Sequence, residues 1–225
     1  MLYLLPNLLD DSLDHKPFLP PSVTQIIPQL NGLIVESLKG GRRFLKRFIK
    51  NIQNIPMSVL NIHTTLEEIA LLSIPIQKGE KWGLLSDAGL PVLADPGAKL
   101  VHHLNALNIP VHTFPGPSSI IYALQLSGLS AQSFTFHGYL PQKSKELRYI
   151  LKTFSRNHTH ICIETPYRTF SLLHNLIAYL PNNTLLSVAW NLTLPQQKVY
   201  TQKVMIWKKK TFPLNKAPAV FLWRN

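Results

Sequence analysis

Four of the eleven carboxylates in this 225-residue chain follow directly on short apolar runs: Leu-Ile-Val-Glu36, Leu-Leu-Ser-Asp87, Leu-Ala-Asp95 and Cys-Ile-Glu164. In open α/β sheets, ligands bind beyond the carboxyl ends of strands, where the strand order reverses. A carboxylate there can orient a ribose, hold a cation or move a proton. The same position suits helix capping, in which an acidic or hydroxyl side chain satisfies orphan amides. Both readings stand for each of the four.

Three loop segments surround these residues. In Gly83-Leu-Leu-Ser-Asp-Ala-Gly-Leu-Pro-Val-Leu-Ala-Asp-Pro-Gly97 a strand gives way at Ser86 to a loop rich in glycine and proline. Glycine lets the backbone approach a ligand closely, and proline holds the loop in a fixed shape. In Thr113-Phe-Pro-Gly-Pro-Ser-Ser119 either serine can cap the apolar helix that follows, whose amides favour an anion. In Glu164-Thr-Pro-Tyr-Arg168 the arginine could grip phosphate through both nitrogens, or form a salt bridge at a helix start.

Several standard devices are missing. The sequence holds no G-x-G-x-x-G, Walker loop, G-x-S-x-G elbow or H-E-x-x-H. His158 and His160 have the spacing of two ligands on one strand face but no third ligand near in sequence, so no metal site is expected. One cysteine, Cys162, excludes an intrachain disulfide and a four-cysteine zinc site. Lys plus Arg number 23 against the eleven acids, a balance of +12 that attracts polyanions, nucleic acid first among them. A polycarboxylate or an anionic membrane surface would be attracted too. Leu100 to Gln142 contains no Asp, Glu, Lys or Arg, yet Pro110, Pro115, Gly116 and Pro117 break it well short of a membrane span. Nothing at the start reads as an export signal, and a soluble chain is expected.

These loops must be carried by an alternation of short apolar runs and helix-length segments. Leu2–Leu5, Leu33–Val35, Gly83–Leu85, Val111–Phe114, Ile161–Ile163, Leu186–Ala189 and Ala219–Trp223 read as strands. Gly41–Asn51, Thr64–Leu72, Gly97–Leu107, Ser118–Leu126, Lys143–Phe154 and Thr169–Tyr179 have helical length and period. The alternation predicts an α/β protein with a largely parallel sheet. Toward the C-terminus, Val188–Trp190, Lys198–Lys203, Val204–Trp207 and Ala219–Trp223 read as strands with few helices between, which predicts antiparallel additions. A boundary near Phe114–Ser119 divides the chain into residues 1–114 and 115–225.

Together the segments resemble the tetrapyrrole methylase superfamily of S-adenosylmethionine-dependent methyltransferases. They are most similar to its branch that methylates a ribose 2′-oxygen in small-subunit ribosomal RNA. The matching pieces are Ser86-Asp-Ala-Gly-Leu-Pro91 with Asp95-Pro-Gly97, Pro115-Gly-Pro-Ser118, Ser127-Gly-Leu129, Phe136-His-Gly-Tyr-Leu-Pro141 with Lys143, and Glu164-Thr-Pro-Tyr-Arg168. Leu5-Pro6-Asn7-Leu8 stands where the family has a Gly-Asn loop, without the glycine. Val35-Glu36-Ser37, with Arg42 or Arg43, stands where the RNA branch has an Ala-Glu-Asp-Thr-Arg run, with serine in place of the acid. Ending at Asn225, the chain is expected to be a short relative.

The resemblance implies a two-domain α/β enzyme, its N-terminal sheet mainly parallel and its C-terminal sheet mixed, with S-adenosyl-L-methionine in the cleft between the domains. It further implies a cytoplasmic homodimer acting on RNA of the small ribosomal subunit. The cofactor-binding residues expected from it are Pro6, Ser86, Asp87, Ala88, Gly89, Pro91, Pro115, Gly116, Pro117, Ser118, Ser119 and Thr165. Since the sulfonium already supplies the leaving group, the protein has mainly to align the acceptor and accept its proton. Glu36 and Asp87 are the expected catalytic carboxylates, Glu36 first as the base. Arg42, Lys143 and Arg168 are the expected substrate-binding residues. Two rival functions share the pattern: C-methylation of a tetrapyrrole, and RNA binding without catalysis.

Overall fold

A computed structural model of the chain describes residues 1–51, 55–210, 212–213 and 216–225. The elements run β1 (Leu2–Leu5), α1 (Pro21–Ile26), β2 (Gly32–Val35), α2 (Leu38–Leu45), β3 (Met57–Val59), α3 (Leu66–Gln77), β4 (Trp82–Leu85), α4 (Ala98–Ala106) and β5 (Val111–Thr113). Then come α5 (Ser119–Ser127), β6 (Phe134–Phe136), α6 (Ser144–Thr153), β7 (Thr159–Glu164), α7 (Thr169–Tyr179), β8 (Leu185–Trp190), β9 (Lys198–Lys203), α8 (Val204–Trp207) and β10 (Ala219–Arg224). Two compact units divide the chain, Met1–Ser118 and Ser119–Asn225.

The first unit is built on a five-stranded parallel sheet of order β3-β2-β4-β1-β5. Its central strands are apolar throughout, as burial on both faces requires. Successive side chains alternate between the faces. Leu5, Leu33, Val35 and Leu85 pack with Val23 and Ile26 of α1 and Phe44 and Leu45 of α2. Leu2, Ile34, Trp82 and Leu84 pack on the other face with Ile69 and Ile76 of α3 and Leu100 and Leu104 of α4. A capping box starts α3: the Thr65 hydroxyl accepts from the Glu68 amide, and the Glu68 carboxylate accepts from the Thr65 amide.

The second unit has a mixed sheet of order β6-β7-β10-β8-β9, parallel only between β6 and β7. One face is closed by Leu147 and Leu151 of α6 and Leu172, Leu173 and Leu176 of α7, packed with Phe221, Trp223 and Trp190. Against β8, β9 and β10 also lies α5, where the Thr201 hydroxyl donates to the Ser127 carbonyl at 2.8 Å. The α/β class, parallel first sheet and mixed second sheet agree with the expectation. One element differs: Val204–Trp207, read as a strand, is the helix α8. Val204 and Trp207 are buried, three residues apart, while Met205 is 37% exposed. That is a helical period, which four consecutive apolar residues do not reveal in sequence.

Candidate active site

The topology of the first unit gathers the site. From β1 the chain crosses to β2 on one side, and from β4 it crosses to β5 on the other. In open α/β sheets such a reversal marks the place, beyond the carboxyl ends of the strands, where ligands bind. Val35 pairs with Leu85, Leu85 with Leu5, and Leu4 with Thr113. Glu36, Ser86-Asp87, Pro6-Asn7 and Phe114–Gly116 therefore leave neighbouring strands side by side, about 4.8 Å apart in the sheet direction.

Asn7 ties two of these loops together. Its Nδ2 donates to the Ser86 and Asp87 carbonyls, both at 3.0 Å, and its Oδ1 accepts from the Leu8 amide at 2.9 Å. Its backbone amide donates to the Gly89 carbonyl at 2.8 Å, and Gly89 donates back to Leu8 at 3.3 Å. Asn7 is 1% exposed and spends its hydrogen-bonding capacity on holding the β4 loop against the β1 loop. Gly89, at φ +71°, gives the loop its left-handed turn. The β5 loop is seated by shape. A Cβ on Gly116 would lie 2.1 Å from Pro6 Cβ, so only a glycine lets that loop rest on the buried proline.

Three carboxylates converge at this edge. The Glu36 Oε2 accepts from the Asp87 amide at 3.2 Å. The Asp87 Oδ1 accepts from the Ser37 hydroxyl at 2.8 Å, and Ser37 Oγ accepts in turn from the Gly40 amide at 3.0 Å, capping α2. Burial, the charge of Glu36 and, less strongly, that of Asp87 push the Asp95 carboxyl up to about 6, against the pull of a hydrogen bond from Ser86. A Cβ on Gly40 would sit 2.0 Å from Asp87 Oδ1, so the carboxylate rests against the bare helix backbone.

The expected residues Pro6, Glu36, Ser86, Asp87, Ala88, Gly89, Pro91 and Pro115–Ser118 all belong to this unit, on the loops that leave its sheet. Pro6 and Pro91 are buried and shape the loops from behind, and Arg42 is exposed on α2. Ser119 opens α5 in the second unit. There Thr165 accepts at its carbonyl from the Arg168 amide and from the amide and hydroxyl of Thr169, at the start of α7. Arg168 pairs at 3.0 Å with the fully buried Glu164, whose charge it balances. Lys143 is exposed and pairs with Glu146 one turn along α6 at 3.3 Å. His158 and His160 fall into a ring cluster. His137 Nε2 lies 2.9 Å from His160 Nδ1, and His160 Nε2 lies 2.9 Å from the Ser155 carbonyl. Asn7 and Ser37 were missed as site residues, and each acts on a partner 50 or more positions away.

The amides of Ala88 and Gly116 make no hydrogen bond among the described residues, and both stand on loops flanking β1.

Comparison with known proteins adds the decisive observation: the family profile for Tetrapyrrole (Corrin/Porphyrin) Methylases matches residues 34–205. The chain belongs to the tetrapyrrole methylase family. Among its relatives is the ribosomal RNA small subunit methyltransferase I of Buchnera aphidicola subsp. Schizaphis graminum, 29% identical over 214 residues, which are 93% of this chain and 73% of that protein. The enzyme of the same name from Hydrogenobaculum sp. is 40% identical over 118 residues, 52% of this chain and 51% of the relative. The aligned region thus spans about half of one curated relative and three-quarters of the other. Among solved structures, the uroporphyrin-III C-methyl transferase of Thermus thermophilus, complexed with S-adenyl homocysteine, shares the fold of this tetrapyrrole methylase at a TM-score of 0.56. That alignment has 14% identity and covers 100% of this chain and 97% of the other.

Proposed function

We propose that this tetrapyrrole methylase transfers a methyl group from S-adenosylmethionine to a ribose 2′-hydroxyl of small-subunit ribosomal RNA. The observation that carries the reading is the set of three neighbouring loops, after β1, β4 and β5, clamped by Asn7 and by the Gly116–Pro6 contact beside Glu36 and Asp87. When bound, the donor supplies an activated methyl on a sulfonium, so no metal is needed for the leaving group. Ala88, Gly89 and Gly116 offer backbone groups to it, and Ser86 and Pro115–Ser118 frame it.

Glu36 is proposed as the proton acceptor. One of its oxygens is engaged by the Asp87 amide, which fixes the carboxylate and leaves the other oxygen for the ribose hydroxyl. Asp87, held by Ser37, orients the acceptor. Asp95, protonated more readily than an ordinary aspartate, limits the negative charge gathered at the edge. Arg42, Lys143 and Arg168 are proposed to meet phosphates, and the +12 balance supports an RNA substrate. Among the described residues no helix is long and apolar enough to cross a membrane. The reading places the chain in the cytoplasm, as a homodimer.

The test is transfer of labelled methyl to small ribosomal subunits purified from a strain that lacks the gene, with porphyrinogen as the competing acceptor. Label in the subunit RNA at a ribose is the expected result. Label in porphyrinogen alone would make the protein a tetrapyrrole C-methyltransferase. Bound donor without transfer to either would leave a non-catalytic relative.

A further inference from the structure

A groove of about 900 Å³ opens beside α2 in the first unit, with Leu38, Ile55 and Met57 as its apolar lining and Arg42, Lys46 and Lys50 as its charged lining. The basic residues recur every fourth position. An α-helix rises about 6 Å over four residues, so Arg42 and Lys46 project one above the other. Past Leu45 the chain keeps turning as far as Phe48, with Lys46 donating to the Arg42 carbonyl and Ile49 to that of Leu45, and Lys50 lines the groove from the bend that follows. Of the nearby cations outside the groove lining, Lys39 has no ion pair among the described residues, and two others are neutralised. Arg43 and Arg47 both pair with Asp11, at 2.6 and 2.8 Å. Arg42, Lys46 and Lys50 have no carboxylate within ion-pair reach among the described residues.

We infer that this groove is a track for a single strand of RNA, its phosphates meeting Arg42, Lys46 and Lys50 and a base or sugar face lying on Leu38, Ile55 and Met57. Charge complementarity selects the occupant. A row of like charges beside an apolar floor repels itself until polyanion phosphates fill it, and phosphates recur along a strand with a spacing close to the helical rise. The direction also fits. Ser37 caps α2 and holds Asp87, so the end of the groove at Leu38 lies two residues from Glu36. A strand on this track would run from Lys50 toward the carboxylates. The inference rests on the ribosomal RNA reading above and adds to it the path by which the acceptor nucleotide arrives.

The experiment measures binding of a fluorescent 20-nucleotide single-stranded RNA by anisotropy between 50 and 200 mM salt. Each phosphate contact to a single strand contributes about 0.7 to the slope of log affinity against log salt. Lys46→Ala with Lys50→Ala should therefore flatten the slope by about 1.4 and weaken binding roughly tenfold. The charge-matched control is Lys78→Ala with Lys99→Ala, at the end of α3 and in α4 on the opposite face of the sheet. It should leave the slope unchanged. Calorimetry with S-adenosylmethionine, equal in all forms, reports that the site is intact. Equal losses in the two double variants, an unchanged slope in the groove variant, or no RNA binding by the wild type would each overturn the track. Methyl transfer by the wild type with an unchanged groove slope removes the track and keeps the ribosomal RNA reading. Groove-dependent binding without transfer does the reverse.

Discussion

Asp95 offers a direct measure of how crowded the carboxylate edge is. Burial and the neighbouring charges of Glu36 and Asp87 lift its carboxyl from 3.8 to about 6. At about 1.4 kcal/mol for each tenfold change in acidity, that rise corresponds to roughly 3 kcal/mol. Asp95 is only part-buried, and solvent screening reduces the figure to about 1–2 kcal/mol. The sign follows from which state releases its proton first. Between pH 3.8 and 6 the unfolded chain ionises Asp95 while the native state holds the proton, so the native state loses stability as pH rises, with no further loss above 6. Asp95→Asn keeps an oxygen for the Ser86 hydroxyl and removes the charge. Urea unfolding should find the variant about 1–2 kcal/mol more stable than the wild type at pH 8, with the gap narrowing as pH falls below 6. A gap independent of pH, or a wild type more stable at pH 8, would refute the convergence of the three carboxylates.

Gly116→Val places methyl groups where the Pro6 ring stands, 2.1 Å from the Cβ position. Overpacking of this kind costs about 1–3 kcal/mol. The β5 loop should lift off and S-adenosylmethionine affinity should fall at least tenfold on calorimetry, with the circular dichroism spectrum kept; unchanged affinity would remove that loop from the donor site. Burial, then the charges of His160 and His158, lower His137 to about 4. As pH falls from 6.5 toward 4 the unfolded chain takes up this proton first, and stability drains away. His137→Gln keeps a donor for His160 Nδ1 and should make the acid side of the stability curve shallower, whereas identical curves would contradict the half-buried, neutral ring.

How much of this was legible in the sequence depends on how local each feature is. Leu2–Leu5, Leu33–Val35 and Gly83–Leu85 stand out because parallel strands covered on both faces are apolar at every position. The strands β3 and β6 carry no such run: each has three residues, and Ser58 or Thr135 interrupts it. Helix α1, for which no helix was expected, begins in a Pro20-Pro21 pair, and proline suits the first helical turn. Among the strand-end carboxylates, sequence alone did not separate the three that converge from Glu164, which balances Arg168 on the other sheet. That separation needs the order β2-β4-β1-β5, a long-range property. Asn7 and Ser37 stayed hidden for the same reason, since their partners are 79 to 80 and 50 residues distant.

The place of β10 in the second sheet sets an order of events during synthesis. It pairs with β7 on one side and β8 on the other, and β6–β7 and β8–β9 join only through it. Until the ribosome has delivered residues 219–224, the inner edges of β7 and β8 stand without their neighbour. From the end of β9 that interval is roughly 1–4 s at about 5–20 residues per second. A nascent second unit therefore passes through a window with two apolar strand edges open to mispairing, while the first unit, with all five strands already translated, is free to close.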